Sequence, residues 1–452
     1  MSYARNLMKS KQSYKTNIVF PVELLNGMIG ETVDIDIDES NICLNLKRIP
    51  PQKFQLHINL ITHGILKISV ISKWRKRIKG SYHIGCKFYS LNRAAKKRLK
   101  GALLQFYSLD RELIDTVREL RWLLYLIKNK FNEFDKKEPT EAKQIKFILS
   151  NRKWIFEILD KKFNKIWRIT KKIPKTLYNL HKLYVYHMTE YFLGRGIEIN
   201  THIYKKPLGY PGDFITMNYI LDYHRKKYLG KSTYEKLINH YTCKIPISCS
   251  NVARKNFFKK KILDTFKKRQ VARITSVGSG SVRELIELAR EGKITTPVIF
   301  KWFDFEKKAL DYVKSQLRRI GKRKKRLLRI EYICKNVLSF INTDFLNREI
   351  GKQDFIYSSG FFDYLPEGVA RRLVNILYGL IDDGGKLIIC NASSQNSGHR
   401  AYYEMAGDWI FHHRSKKQLL DWVKDCKKSS KVRFEDPCPD KNYLFLSIAR
   451  NK

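Results

Sequence analysis

The chain has 452 residues, a hydrophobic share of 43% and a formal net charge of +46. That share excludes a largely disordered chain and is enough for two to four domains with cores of their own. No apolar run approaches the ~20 residues that span a bilayer, residues 1–15 lack the apolar core of a signal peptide, and eight scattered cysteines form no C-x-x-C pair or His–Cys cluster, so a reducing cytoplasm is expected and a metal site is not.

In chain order, short β-type runs come first, at residues 16–25, 31–37, 42–46, 54–60, 65–72 and 82–88. Their regular spacing predicts a small barrel over residues 1–100. Two stretches carry more detail. One is Asp36-Ile37-Asp38-Glu39-Ser40-Asn41-Ile42, and the other is His83-Ile84-Gly85-Cys86-Lys87-Phe88. On these the module resembles a PilZ domain, the bacterial cyclic di-GMP receptor. The resemblance puts the first stretch at the family's Asp/Asn-x-Ser-x-x-Gly motif, where Asp38 replaces the serine and Asn41 the glycine. Lys11 and Lys15 stand where the family has two arginines four residues apart. Lysine lacks the planar fork of arginine, and Asp38 repels phosphate. A degenerate PilZ-like barrel, with cyclic di-GMP binding weakened or lost, is expected.

Residues 101–200 read as a helical, basic linker region. Leu103, Leu104, Phe106, Leu109, Leu113, Val117, Leu120 and Leu123 fall near helical spacing, as do Ile148, Ile155, Leu159 and Phe163. Pro139 marks a loop between helices. The stripe reads as core rather than as a cofactor box.

Residues 201–452 hold the chemistry. The run Lys206-Pro207-Leu208-Gly209-Tyr210-Pro211-Gly212-Asp213-Phe214 is a turn signal at the least. Further on, Ile274-Thr275-Ser276-Val277 ends in Gly278-Ser279-Gly280-Ser281, and helical sequence follows from Val282. That order is the strand, glycine turn and helix start of a nucleotide-binding α/β domain. A second strand, 297–303, ends at Asp304, some 20 residues past the glycines and placed to accept from ribose hydroxyls. Strand signals recur at 330–334, 354–360 and 386–390, with Lys335-Asn336-Val337 after the first, Ser359-Gly360 closing the second and Gly384-Gly385 before the third. Alternating strand and helix signals predict a parallel sheet.

This series resembles the class I S-adenosylmethionine (SAM)-dependent methyltransferases over about residues 250–450. The resemblance implies SAM as cofactor. It passes the cofactor roles to Gly278, Ser279, Gly280, Asp304, Asn336, Ser359 and Gly360. The family often has Asp at Asn336, and an amide oxygen still accepts from the adenine amine. The fold class expected is therefore multidomain. A small PilZ-like β-barrel is followed by a helical middle region and a C-terminal α/β Rossmann-like class I methyltransferase domain with a helical cap at its start.

A narrower likeness rests on the Lys206–Phe214 block, on Met217-Asn218, on Asp363-Tyr364-Leu365, and on Glu404-Met405, Asp408-Trp409 and Arg414 after Cys390-Asn391. These resemble the bacterial family that makes the extracellular factor 3-hydroxypalmitic acid methyl ester, from about Pro174 to Ala449. The family usually has Ala at Pro211 and Tyr at Phe214. The likeness implies an O-methyltransferase that converts the carboxyl of a hydroxy fatty acid derivative to a methyl ester signal, as in quorum sensing.

A carboxylate is already a nucleophile at neutral pH, so methyl transfer to it needs alignment rather than a strong base. Tyr210, Tyr364, His413 and Arg414, with His412 beside them, are the residues expected to position the acceptor. The acceptor is expected to be a fatty acyl group, free or on an acidic carrier. Such a surface charge also attracts anionic membrane lipid and nucleic acid. The excess as a whole is equally open to a plain compositional origin. The alternatives are an RNA methyltransferase, and a signalling effector in which a PilZ-type module controls a SAM-binding platform. Against the first, the chain has no Asn/Asp-Pro-Pro-Tyr motif, and Pro437-Cys438 lies far from the fourth strand.

Overall fold

The computed structural model describes residues 19–36, 40–78, 81–89, 91–223, 228–335, 337–395, 399–424, 430–438 and 440–451. The chain divides into two compact units, Met1–Asn129 with Lys161–Arg195, and Lys130–Asp160 with Gly196–Lys452. The helical residues between 101 and 200 are thus divided between both.

In the first unit, β1 (Pro21–Leu24), β2 (Ile29–Asp36), β3 (Asn41–Leu46), β4 (Lys53–Asn59), β5 (Ile65–Ile78) and β6 (Ser81–Phe88) close into a barrel, in the order β1-β2-β3-β6-β5-β4. Ile42, Leu44 and Leu46 alternate inward along β3, as the period of two in a half-buried strand requires. β5 runs on to Ile78, past the expected end at Ser72. Its basic tail pairs with β6, Trp74 opposite Gly85 and Arg75 opposite Ile84. A Cβ at Gly85 would lie 2.1 Å from the Trp74 indole, so the glycine makes room for the ring.

Helix α1 (Arg93–Phe106) starts at Asn92, whose side chain accepts from the Ala95 N–H at 2.8 Å. The longer α2 (Arg111–Asp135), α3 (Glu141–Thr170) and α4 (Lys175–Leu193) follow. Buried Arg121 on α2 donates to the Met188 carbonyl of α4 at 2.7 Å and the Gly30 carbonyl of β2 at 3.0 Å, which ties helices to barrel. Lys11, Lys15 and Asp38, the residues expected to bear on cyclic di-GMP, lie outside the described residues.

The second unit is an α/β sheet. Four helices come first: α5 (Glu198–Lys205), α6 (Phe214–Tyr223), α7 (Thr233–Lys244) and α8 (Pro246–Phe266). Then β7 (Ala272–Val277), α9 (Arg283–Arg290), β8 (Val298–Asp304), α10 (Lys307–Arg318), α11 (Lys322–Lys325), β9 (Leu328–Cys334), α12 (Thr343–Glu349), β10 (Gln353–Ser359), α13 (Glu367–Gly379) and β11 (Ile381–Ala392) alternate. α14 (Lys416–Trp422), β12 (Ser430–Glu435) and β13 (Tyr443–Arg450) end the chain.

The strand order is β12-β13-β11-β10-β7-β8-β9. β7 to β11 are parallel, and β13 runs antiparallel to both β11 and β12. Central β10 is buried from Gln353 to Ser358, as a strand covered by helices on both faces must be. On one face, Phe258 of α8 stacks on Tyr357 of β10 at 4.8 Å. Gly384 and Gly385 differ from expectation. They lie inside β11, where the pairing jumps from Gln353–Ile381 to Phe355–Lys386, and Gly384 supplies the φ of +69° that the bulge requires.

Among the described residues, no helix is long and apolar enough to cross a membrane.

Candidate active site

A cavity of about 420 Å³ opens at the carboxyl ends of the parallel strands in the second unit. Open α/β sheets bind ligands at this edge. Its wall includes the loops after β7, β8 and β10 and the Gly-Tyr-Pro-Gly-Asp block.

The glycine turn forms one side. Gly278 has φ +63° and Gly280 φ +52°. A Cβ at Gly278 would stand 2.4 Å from the Phe361 Cβ, so close approach as well as backbone angle demands glycine. Val282, which starts α9, has φ +36°, a costly angle for a β-branched residue and a mark of a constrained loop. Ser279 is turned inward, its hydroxyl donating to the Ser276 carbonyl at 2.6 Å and accepting from the Phe303 N–H at 3.1 Å.

Asp304, at the end of β8, closes against the turn. Its carboxylate accepts from the Gly280 N–H at 2.7 Å, the Phe305 N–H at 2.7 Å and the Glu306 N–H at 3.0 Å. Burial raises its pKa, and the three N–H groups oppose the rise. Two carboxylate oxygens offer about four acceptor positions, so one remains for a ligand hydroxyl. Ser359 and Gly360, after β10, line the same space. Gly278, Ser279, Gly280, Asp304, Ser359 and Gly360 are thus brought together. Asn336 lies outside the described residues.

Across the cavity, Tyr210 packs on Phe305 and Tyr364, with ring centroids 5.7 and 6.0 Å away. The Tyr364 hydroxyl accepts from the Trp409 indole N–H at 2.8 Å. Burial raises both tyrosine pKa values, so both stay neutral.

The Gly-Tyr-Pro-Gly-Asp block is a structural turn and a cavity wall at once. Asp213 accepts from the Ile215 and Thr216 N–H groups at 3.0 and 2.9 Å, capping α6, and pairs with His202 at 2.7 Å. Lys206 pairs with Asp408 and so joins the two distant motifs.

His413 and Arg414 are not where expected. Neither is among the residues lining the cavity. His413 is enclosed by Tyr403 and the Phe411 carbonyl, each 3.2 Å away, and burial pushes its pKa down to about 3. Its neutral ring packs in an aromatic cluster. Arg414 is 2% exposed and braces the wall from behind. It donates to the Phe362 carbonyl at 2.9 Å and to Asn391 Oδ1 at 2.7 Å, bonds the Leu365 carbonyl, and pairs with Glu367 at 2.7 Å. Three of the four partners belong to the 361–367 segment, and Asn391 ties it to β11. Exposed His412 is likewise absent from the lining.

Three residues given no role from the sequence enter the site. Asn251 and Arg254, on one face of α8, line the cavity, and so does Asp363. Arg254 Nη1 stands 3.9 Å from Asp363 Oδ2, and its guanidinium lies 4.6 Å from the Tyr443 ring. Burial lifts the Asp363 carboxyl to about 7 although Arg254 is beside it. A signal existed in the sequence. Asn251 and Arg254 sit three apart on the buried stripe of Ile247, Phe258 and Ile262, and polar residues on such a stripe need a reason.

The sheet, with its single antiparallel strand inserted at β13, and the glycine turn facing an acid at the next strand end together define a class I methyltransferase fold. No family model and no curated protein matches the chain. Solved structures resemble parts of the chain at low identity. A "possible exported protein" of Bordetella parapertussis is 13% identical over 57% of this chain and 88% of its own, with a TM-score of 0.44. An O-methyltransferase family protein from Burkholderia thailandensis is 14% identical over 46% of this chain and 60% of its own, TM-score 0.32. Magnesium protoporphyrin IX methyltransferase from Synechocystis, solved with SAM bound, is 12% identical over 45% and 82%, TM-score 0.32.

Proposed function

We propose that the second unit binds SAM and transfers its methyl group to the carboxyl of a hydroxy fatty acid, making a methyl ester signal. The observation that carries the SAM reading is the joint geometry of the glycine turn and Asp304, locked by the 2.7 Å bond from the Gly280 N–H. SAM's methionine part would pass Gly278 to Gly280, and Asp304 would hold the ribose. Asn336 keeps its proposed place at the adenine. When bound, SAM supplies an electrophilic methyl group. Tyr210, Tyr364 and the apolar wall exclude water and orient the acceptor. Aromatic and aliphatic groups such as Phe214, Met217, Val369 and Phe411 line the cavity and suit an alkyl chain.

The fatty acid assignment rests on the motif likeness at residues 206–214, 363–365 and 404–414. In the same reading the first unit is a PilZ-like module with a weakened nucleotide site. The basic chain would work in the cytoplasm, with peripheral contact to anionic membrane.

Calorimetry with SAM tests the first claim, and absence of binding by the folded wild-type protein ends it. Asp304→Ala should weaken SAM binding by about 1–3 kcal/mol, the cost of losing a charge-assisted partner. Incubation with labelled SAM and separate lipid and RNA extracts tests the acceptor. Label entering lipid as a methyl ester supports the reading, and label entering only RNA replaces it.

A further inference from the structure

Two buried donors in the cavity lack hydrogen-bond partners. Arg254 Nη1 and Asn251 Nδ2 are both enclosed and make no hydrogen bond, and their residues are 7% and 3% exposed. They belong to one helix, three residues apart, and so share a face. A buried unpaired donor costs free energy, and two on residues that line one cavity ask for a ligand with acceptor oxygens. A planar guanidinium beside an amide matches a carboxylate better than any neutral group.

Their position in the sheet sets them apart from the glycine turn and Asp304, although Arg254 reaches Gly360. The glycine turn and Asp304 close β7 and β8. Arg254 instead packs among groups on β11 and β13 and in the loop after β10. A Cβ at Gly360 would meet its Nη1 at 2.7 Å, Tyr443 of β13 lies under it, and buried Cys390 of β11 stands beside it. Asn251 Oδ1 accepts from the Tyr443 hydroxyl at 3.0 Å, which leaves the amide N–H₂ as the unpaired group of this cavity-lining residue. Strands lie about 4.8 Å apart, so this corner is on the order of 10 Å from the β7–β8 end.

We propose that Arg254 and Asn251 form the subsite for the acceptor's carboxylate, and hence that the acceptor enters as a free acid rather than as a carrier thioester. This rests on the methyl-transfer reading above. In the transfer, a carboxylate oxygen donates a lone pair to the methyl carbon of SAM and a C–O bond forms. The S–CH₃ bond breaks, its electron pair stays on sulfur, and the sulfonium becomes a thioether. The negative and positive charges cancel, and no proton moves. A thioester has no anionic oxygen to offer, and its methylated carbonyl would remain a cation. A hydrolytic release of the thioester class must therefore precede this enzyme. Asp363 fits the scheme. With its pKa already near 7, it takes up a proton when a second carboxylate arrives, leaving Arg254 one anionic partner.

The test uses the full chain with Arg254→Gln, Arg254→Lys and Asn251→Ala. Three quantities are measured: SAM affinity, affinity for 5′-methylthioadenosine (which lacks SAM's carboxylate), and both binding and methylation of 3-hydroxyhexadecanoate. R254Q should lower kcat/KM for the free acid by about 10- to 100-fold, the loss expected for a charged hydrogen bond. Lysine should restore part of it, and the asparagine variant should lose less. SAM and methylthioadenosine affinities should stay within about twofold, which also certifies the fold. A drop in SAM affinity with methylthioadenosine unchanged would assign Arg254 to the cofactor and overturn the proposal. So would unchanged turnover of the free acid, or a carrier thioester methylated as well as the acid. If the acid binds in an Arg254-dependent way and is never methylated, the subsite stands and the transferase reading fails. If wild-type protein binds no SAM, both fall.

Discussion

Asp363 gives the site a pH dependence of definite sign. An unfolded Asp titrates near 3.9, and burial lifts the folded carboxyl to about 7 against the pull of Arg254, the Ala392 N–H and Arg414. Between those values the folded state holds a proton that the unfolded state has lost. Stability from this group is therefore greatest at low pH and declines as pH rises from about 4 to 7. Asp363→Asn removes that slope. In urea unfolding at pH 5, 6 and 7.5, the variant should gain on wild type as pH rises, and parallel curves would contradict the buried-acid reading. Arg414 gives a second residue-scale prediction. Its four partners make it a brace, so Arg414→Ala should cost about 3 kcal/mol of stability, since buried acceptors are left unpaired. SAM affinity should fall with it, because the braced segment includes Phe361 of the cavity wall and directly follows Gly360. An acceptor-side arginine would have left both untouched.

Elements were legible where the period of apolar residues was undisturbed. β7, β8 and β10 are short apolar runs bounded by Gly, Asp and Ser, and each lies within a residue or two of its expected place. Barrel strands β2, β3, β4 and β6 were equally plain. The signal failed in identifiable ways. The tail of β5 is Lys73-Trp74-Arg75-Lys76-Arg77, whose charge hides a strand that hydrogen bonds to β6 still create. α8 mixes a basic outer face with Asn251 and Arg254 inside, so its amphipathic contrast is low and the site residues on it went unassigned. The Gly-Tyr-Pro-Gly-Asp block was visible as a turn, but its reach to Trp409 depends on contacts across some 200 residues that no local pattern reveals. Gly212 shows how tight that contact is. A Cβ there would lie 2.1 Å from the Tyr364 hydroxyl and 2.8 Å from the Trp409 ring. Gly212→Ala must therefore push the tyrosine–tryptophan pair apart, at about 1–3 kcal/mol by chemical denaturation. The near-ultraviolet circular dichroism of the aromatic cluster should change with it. An unaltered spectrum at wild-type stability would mean that the block does not pack as described.

Across the whole molecule, charge and nucleotide recognition have to be separated. Part of the basic excess is satisfied internally. Lys255 and Lys259 reach Glu287 at 2.7 and 3.2 Å, and Lys261 reaches Glu435 at 2.6 Å. The remaining surplus, within a formal +46, still attracts any polyanion at low ionic strength. Such attraction is screened over about 8 Å in physiological salt, whereas a built site of hydrogen bonds is not. Cyclic di-GMP distinguishes the two. Its phosphates and guanines call for the bidentate fork and flat stacking surface of arginine. In the proposed PilZ-like reading, Lys11 and Lys15 would stand in for the receptor's two arginines and Asp38 for its serine. The closed barrel of the first unit can persist without that site, because its core of Ile42, Leu44, Leu56, Ile58 and Ile84 is independent of it. Titration at physiological salt should then give a dissociation constant well above about 1 μM. Any binding at low salt should vanish on adding salt and be matched by other dinucleotides. Salt-resistant, cyclic di-GMP-specific binding at micromolar strength or better would show that lysines serve where arginines were thought necessary, and would make the first unit a working receptor.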